Sequence, residues 1–131
     1  MQIYDWDPSL ETGNEQIDEQ HKGIFELARK LHEACETCTP EGDEIADAVY
    51  GLSDYVVQHF ADEEALMEAA RYPELSVHRG MHDALTGEVL HITTRYFNEE
   101  NVEPQSLATF LAGWLRTHIR QEDRRFVDFS R

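Results

Sequence analysis

Five of the seven histidines in this 131-residue chain, His21, His59, His78, His82 and His118, fall where packed helices would bury apolar side chains. Carboxylates follow two of them at short helical spacing: Glu63 lies four residues after His59, and Glu122 and Asp123 lie four and five after His118. A buried imidazole or ionised carboxylate without a partner costs several kcal/mol, so such groups are hydrogen-bonded, paired or bound to metal. One histidine on an apolar stripe is usually a hydrogen-bonded core residue. A whole cluster at matching depth in several stripes would need as many separate partners, whereas one shared metal centre satisfies all its members at once.

Donor type and number narrow the metal. Residues four apart share a helix face, so His59 with Glu63, and His78 with His82, can each reach one centre. Zinc usually takes four ligands in a tetrahedron, and seven protein ligands are too many for a single zinc. Two six-coordinate ions accommodate them. Five histidines and two bridging carboxylates fill nine of the twelve positions, a bridging oxygen from solvent fills two more, and one stays open.

The elements that must carry these residues follow from apolar spacing. Steps of three and four give the stripe of a packed amphipathic helix. The first stripe runs Ile17, His21, Ile24, Ala28, Leu31, Cys35, and the second Ile45, Val49, Leu52, Val56, His59, Glu63, Leu66. The third is Leu75, His78, His82, Leu85, Val89, Ile92, Tyr96, and the fourth Leu107, Leu111, Trp114, His118. Pro8 and Gly13 mark an N-terminal arm, while Pro40 with Gly42, Pro73 and Pro104 punctuate the stretches between stripes. Helices are therefore expected over about 15–38, 43–70, 74–98 and 103–128. Joined by short connections, they predict an all-α, up-down-up-down four-helix bundle with an N-terminal arm, a single domain over 1–131, and a fold that builds metal sites from facing side chains.

Composition limits the partners. A formal charge of -16 argues against nucleic acid and against an anionic membrane surface. No apolar stretch approaches the roughly 20 residues needed to span a bilayer, and the first residues lack the positive flank and apolar run of a secretory signal. A soluble cytoplasmic protein is expected.

Several motifs in order make the chain recognisable. Trp6 precedes Ile17-Asp18-Glu19-Gln20-His21; then come His59-Phe60-Ala61-Asp62-Glu63-Glu64 with Met67, Tyr72-Pro73, and His78-Arg79-Gly80-Met81-His82; last is Trp114-Leu115-Arg116-Thr117-His118-Ile119 with Asp123 five residues past the histidine. Their order and spacing resemble the hemerythrin family, particularly the small single-domain bacterial hemerythrins, over nearly the whole chain. The resemblance implies a non-haem centre of two iron ions, oxo- or hydroxo-bridged, that binds dioxygen reversibly. It implies that His78, His82 and His118 hold one iron, that His21 and His59 hold the other, and that Glu63 and Asp123 bridge them. It also implies that Ile24, Phe60, Trp114, Leu115 and Ile119 line a dry pocket beside the open position, although each would equally serve as ordinary bundle core.

Spacing and resemblance disagree at one position. Five residues advance an ideal helix by about 500°, which leaves Asp123 about 140° around from His118, whereas Glu122 is nearly in line. Periodicity favours Glu122; the resemblance favours Asp123. The aspartate reaches the centre only if the helix is locally distorted or the metal lies between the two directions.

The remaining polar residues are expected to be peripheral. His32 and His91 lie off the stripes, Glu64 reads as a supporting or surface residue, and Gln20 sits where it could influence the site electrostatically. Cys35-Glu36-Thr37-Cys38 is a C-x-x-C pair without the βαβ setting of a thioredoxin, which weakens a redox or regulatory reading. The expected function is oxygen storage, delivery or sensing by a non-enzyme, with dioxygen as ligand and an oxygen-consuming enzyme or signalling protein as possible partner. Two alternatives stay open: a di-iron enzyme reducing peroxide, nitric oxide or oxygen, and an interaction module that senses iron or oxygen.

Overall fold

A computed structural model describes residues 3–37, 43–100 and 103–130 of the chain, and a local signal marks one end of each of its four long helices. Helix α1 (Glu15–Thr37) opens on Asn14, whose side-chain oxygen accepts the Ile17 N–H at 3.0 Å and so satisfies one of the free amides of the first turn. Helix α2 (Asp43–Ala69) ends where Arg71 turns left-handed (φ 56°) and the Tyr72 N–H donates to the Met67 carbonyl at 3.0 Å. Helix α3 (Leu75–Phe97) gives way to left-handed Glu99 (φ 60°). Helix α4 (Pro104–His118) begins on a proline, which lacks only an N–H that would have no helical partner there.

Helices α1 and α2, α2 and α3, α3 and α4, and α4 and α1 pack as neighbours, closing the up-down-up-down four-helix bundle. Among the described residues there is no strand. Gly23 permits the close approach of α1 and α2, since a Cβ there would collide with the phenol ring of Tyr55. Among the described residues the apolar interior falls into two clusters. The larger includes Ile24, Leu31, Leu52, Phe60, Leu85, Leu111, Leu115 and Ile119. The smaller comprises Ile17, Met67, Tyr72, Phe126 and Val127. On each of three chain segments the candidate ligands lie between residues of the two clusters: His21 between Ile17 and Ile24, Glu63 between Phe60 and Met67, and Asp123 between Ile119 and Phe126. A polar belt thus crosses an otherwise apolar core.

The fourth stretch departs from expectation. A uniform helix over 103–128 is replaced by α4, a π-helical turn at Ile119–Asp123, and a short helix α5 (Arg124–Ser130). Two stripe positions also shift by one residue. Met67 is fully buried while Leu66 is only half-buried, and Leu115 is buried while Trp114 keeps partial exposure. Cys38 lies outside the described residues, so the C-x-x-C pair receives no structural account. His32 is half-buried and bonded to Tyr4 and Glu36, and His91 is exposed; both sit away from the belt, as expected.

The N-terminal arm forms a 3-10 turn at Pro8–Leu10 and is strapped along the fourth stretch by three arginines four residues apart. Arg116 donates to the carbonyls of Ile3 (3.2 Å) and Asp5 (2.7 Å) and to the Asp7 carboxylate (2.7 Å). Arg120 reaches Ser9 and Asp7, and Arg124 donates to the carbonyls of Ser9 and Glu11. The straps lie before, within and after the π turn.

Candidate metal centre

All seven residues named as ligands converge. His21, His59, Glu63, His78, His82, His118 and Asp123 are each at most 5% exposed. Their donor atoms form two groups, each able to surround one ion. One consists of Glu63, His78, His82, His118 and Asp123, and the other of His21, His59, Glu63 and Asp123. Both carboxylates belong to both groups.

Individual oxygens divide accordingly. Glu63 turns Oε1 toward His78 Nε2 (2.9 Å) and His82 Nε2 (3.2 Å), and Oε2 toward His59 Nε2 (3.3 Å) and His21 Nε2 (3.6 Å). Asp123 turns Oδ1 toward His78 Nε2 (3.0 Å) and His118 Nε2 (3.1 Å), and Oδ2 toward His21 Nε2 (3.0 Å). The Nε2 atoms of His78 and His118 lie 3.1 Å apart. Donors at right angles around one ion, each about 2.1 Å from it, are separated by about 3.0 Å. The spacing therefore suits shared coordination.

Hydrogen bonding alone does not account for the packing of these atoms. Among the described residues, eight buried side-chain nitrogens and oxygens lack a hydrogen-bond partner, and all but Trp6 Nε1 belong to His21, His59, Glu63, His82 and Asp123. They approach one another closely without aligned donors. Buried polar atoms left in this state are costly, and a cation between them removes the cost. The residues present fit a metal.

Electrostatics points the same way. Burial opposes charge on His21 and His78, but close contact with the carboxylates of Asp123 and Glu63 outweighs it and raises both imidazoles to about 9. Burial likewise favours neutral Glu63, yet the surrounding His21, His59, His78 and His82 hold it well below the usual carboxylate range. Burial and the nearby Glu63 both raise Asp123, while His118, His21 and His78 prevail and lower it. Without metal, protons on His21 and His78 balance two ionised carboxylates in a buried core.

Asp123, not Glu122, faces the centre. Over Ile119–Asp123 the wide π turn spends one more residue per turn than an α-helix, so the residue five after His118 rotates inward. Glu122 instead stays partly exposed, with Arg125 at 3.9 Å. The residues expected to line the pocket are placed less uniformly. Ile24, Phe60, Leu115 and Ile119 are buried in the larger apolar cluster. Phe60 stacks on His82 with ring centroids 3.9 Å apart, and half-buried Trp114 stacks on His118 at 4.3 Å.

A second set of residues orients the imidazoles. Glu64 Oε2 accepts a hydrogen bond from His82 Nδ1 at 2.8 Å, and its other oxygen accepts one from Arg79 at 2.9 Å. Gln20 Oε1 accepts from His59 Nδ1 at 2.7 Å, while its amide donates to Asp62, which also accepts from Gln58. Arg79, Asp62 and Gln58 were not legible as site residues, because each is a polar residue on an outward helix face like many others.

Comparison with known proteins agrees with this geometry. Residues 12–129 match the family described as hemerythrin HHE cation binding domain. The chain is 37% identical to a bacteriohemerythrin of Pseudomonas aeruginosa (strain LESB58), over 96% of this chain and 80% of that one. It is 32% identical to a bacteriohemerythrin of Stenotrophomonas maltophilia (strain R551-3), over 98% and 82%. The crystal structure of wild-type hemerythrin superposes with a TM-score of 0.87 at 30% identity, covering 95% of each chain. With bundle, donor set and sequence in agreement across almost its full length, this chain belongs to the hemerythrin family.

Proposed function

We propose that this protein binds dioxygen reversibly at a centre of two iron ions, as a single functional domain over 1–131. His78, His82 and His118 hold one ion and His21 and His59 the other, with Glu63 and Asp123 shared. The observation that carries the proposal is the division of donors into two groups with both carboxylates in common. Five protein donors on one side and four on the other leave the His21 and His59 side with more room for an external ligand. The two irons, if held by these donors, would each supply one electron to dioxygen on binding and recover it on release.

The chain's part is to position the donors and keep water away. Five neutral imidazoles and only two carboxylates support high oxidation states less than a carboxylate-rich set would, which favours release of intact dioxygen over O–O cleavage. The buried side chains of Ile24, Phe60, Leu115 and Ile119, with Trp114 at the edge, offer no acid that could protonate a reduced ligand. This absence among the matched pocket residues favours a carrier or sensor over an enzyme reducing peroxide, nitric oxide or oxygen. No described helix is long and apolar enough to cross a membrane, and a cytoplasmic location is part of the proposal.

The test is a spectrum of the reduced, iron-loaded protein under nitrogen, then air, then nitrogen again. Reversible binding predicts a coloured form in air that bleaches when oxygen is removed. Sustained consumption of oxygen or peroxide with an electron donor, at roughly 1 per second or faster, contradicts it.

A further inference from the structure

The outer ring nitrogens of the ligand histidines meet different partners on the two sides of the centre. On the three-histidine side, His82 Nδ1 donates to Glu64, an anion 18% exposed whose second oxygen is held by Arg79. On the two-histidine side, His59 Nδ1 donates to the neutral amide oxygen of Gln20, and buried His21 Nδ1 has no hydrogen-bond partner among the described residues. Phe60 stacked on His82 blocks rotation of that ring and keeps its Nε2 on the shared carboxylate oxygen.

Charge on these partners has a direct consequence. A carboxylate accepting an imidazole N–H makes the ring a stronger electron donor through its other nitrogen, and an amide oxygen does so less. Arg79 offsets Glu64 only in part, because its side chain is 48% exposed and its charge is screened by water.

Resting on the two-iron reading above, we propose that Glu64 and Gln20 set the order in which the two ions change oxidation state. Glu64 is a positioning residue that makes the His78, His82 and His118 side the harder to reduce. Gln20 keeps the His21 and His59 side electron-poor, so that this ion is reduced first. Each step takes one electron from an external donor and converts one ferric ion to ferrous, without bond cleavage in the protein.

Two variants test the assignment by stepwise reductive titration of the diferric protein, with iron counted in each sample. Glu64→Gln keeps the shape and removes the charge, and it should shift the lower of the two midpoints upward. Gln20→Glu adds charge on the opposite side and should shift the upper midpoint downward. Either change narrows the separation, so less of the half-reduced form accumulates. In the metal-free chain, nitrogen-resolved NMR should find the His82 ring perturbed by the first variant and the His59 ring by the second.

Two irons per chain with midpoints unmoved in both variants, or both midpoints shifted equally, would overturn the proposal and leave the two-iron reading intact. Fewer than two irons in the unaltered protein would overturn both.

Discussion

Asp123 and Glu122 are neighbours in the chain and opposite in environment, one 1% exposed among three imidazoles and the other beside solvent and Arg125. Asp123→Ala should therefore abolish binding of the second ion and the bridged chromophore, while Glu122→Ala leaves both nearly intact; metal analysis and absorption spectra separate the two. His59→Ala or His118→Ala should lower metal content and stability together, because the remaining buried donors lose a shared partner. Protons compete with metal at the same atoms. In the metal-free chain the raised values of His21 and His78 contribute stability that is complete below 6.5 and lost as pH rises through about 9. The lowered carboxyls contribute stability present above about 4.5 and lost as pH falls through their folded-state values. Urea midpoints of the metal-free chain should thus be highest between these limits, and metal uptake at pH 7 should release protons from both histidines. The five histidines and Glu63 were legible because each replaces an apolar residue at a regular step. Asp123 was legible only through family resemblance, since its inward turn depends on a helical irregularity that periodicity does not encode.

At the scale of elements, the π turn explains why a helix predicted to be continuous is not. An added residue at Ile119–Asp123 breaks the regular hydrogen-bond ladder, yet Ile119 and Asp123 inside it and Phe126 and Val127 after it are buried. The arginine straps on the N-terminal arm bracket this turn and tie both of its ends to one segment. Arg116→Ala removes charge-assisted bonds to the Ile3 and Asp5 carbonyls, a loss of about 2 kcal/mol. It should lower the unfolding midpoint of the iron-loaded protein without changing iron content, as measured by thermal melts beside metal analysis. Helix existence and order were readable from proline, glycine and apolar spacing. The straps were not, because arginines at i, i+4 and i+8 look like any solvated helix face until the arm is laid along them.

For the molecule as a whole, the proposed function requires a polar belt sealed by apolar core on both sides. The seal is thinnest at His118, the most exposed of the seven candidate ligands at 5%. A groove of about 420 Å³ lined by Met81, Ala84, Trp114, Thr117 and His118 ends there. Leu115, 1% exposed and one turn before His118, belongs to the core side of the seal. Leu115→Asn would bring a polar group and water toward the centre and should shorten the lifetime of the oxygenated form on the order of tenfold, a barrier change of about 1.4 kcal/mol; Leu115→Ala should act in the same direction by opening space. Loss of colour in air-saturated buffer measures both. Whether this donor set holds two ions with both carboxylates shared is decided by titrating metal-free protein with ferrous iron under nitrogen. The end point should fall at two irons per chain, reduced to one or none by Asp123→Ala and unchanged by Glu122→Ala. An end point at one iron per chain, or a chain that takes up a single zinc tightly and no iron, would contradict it.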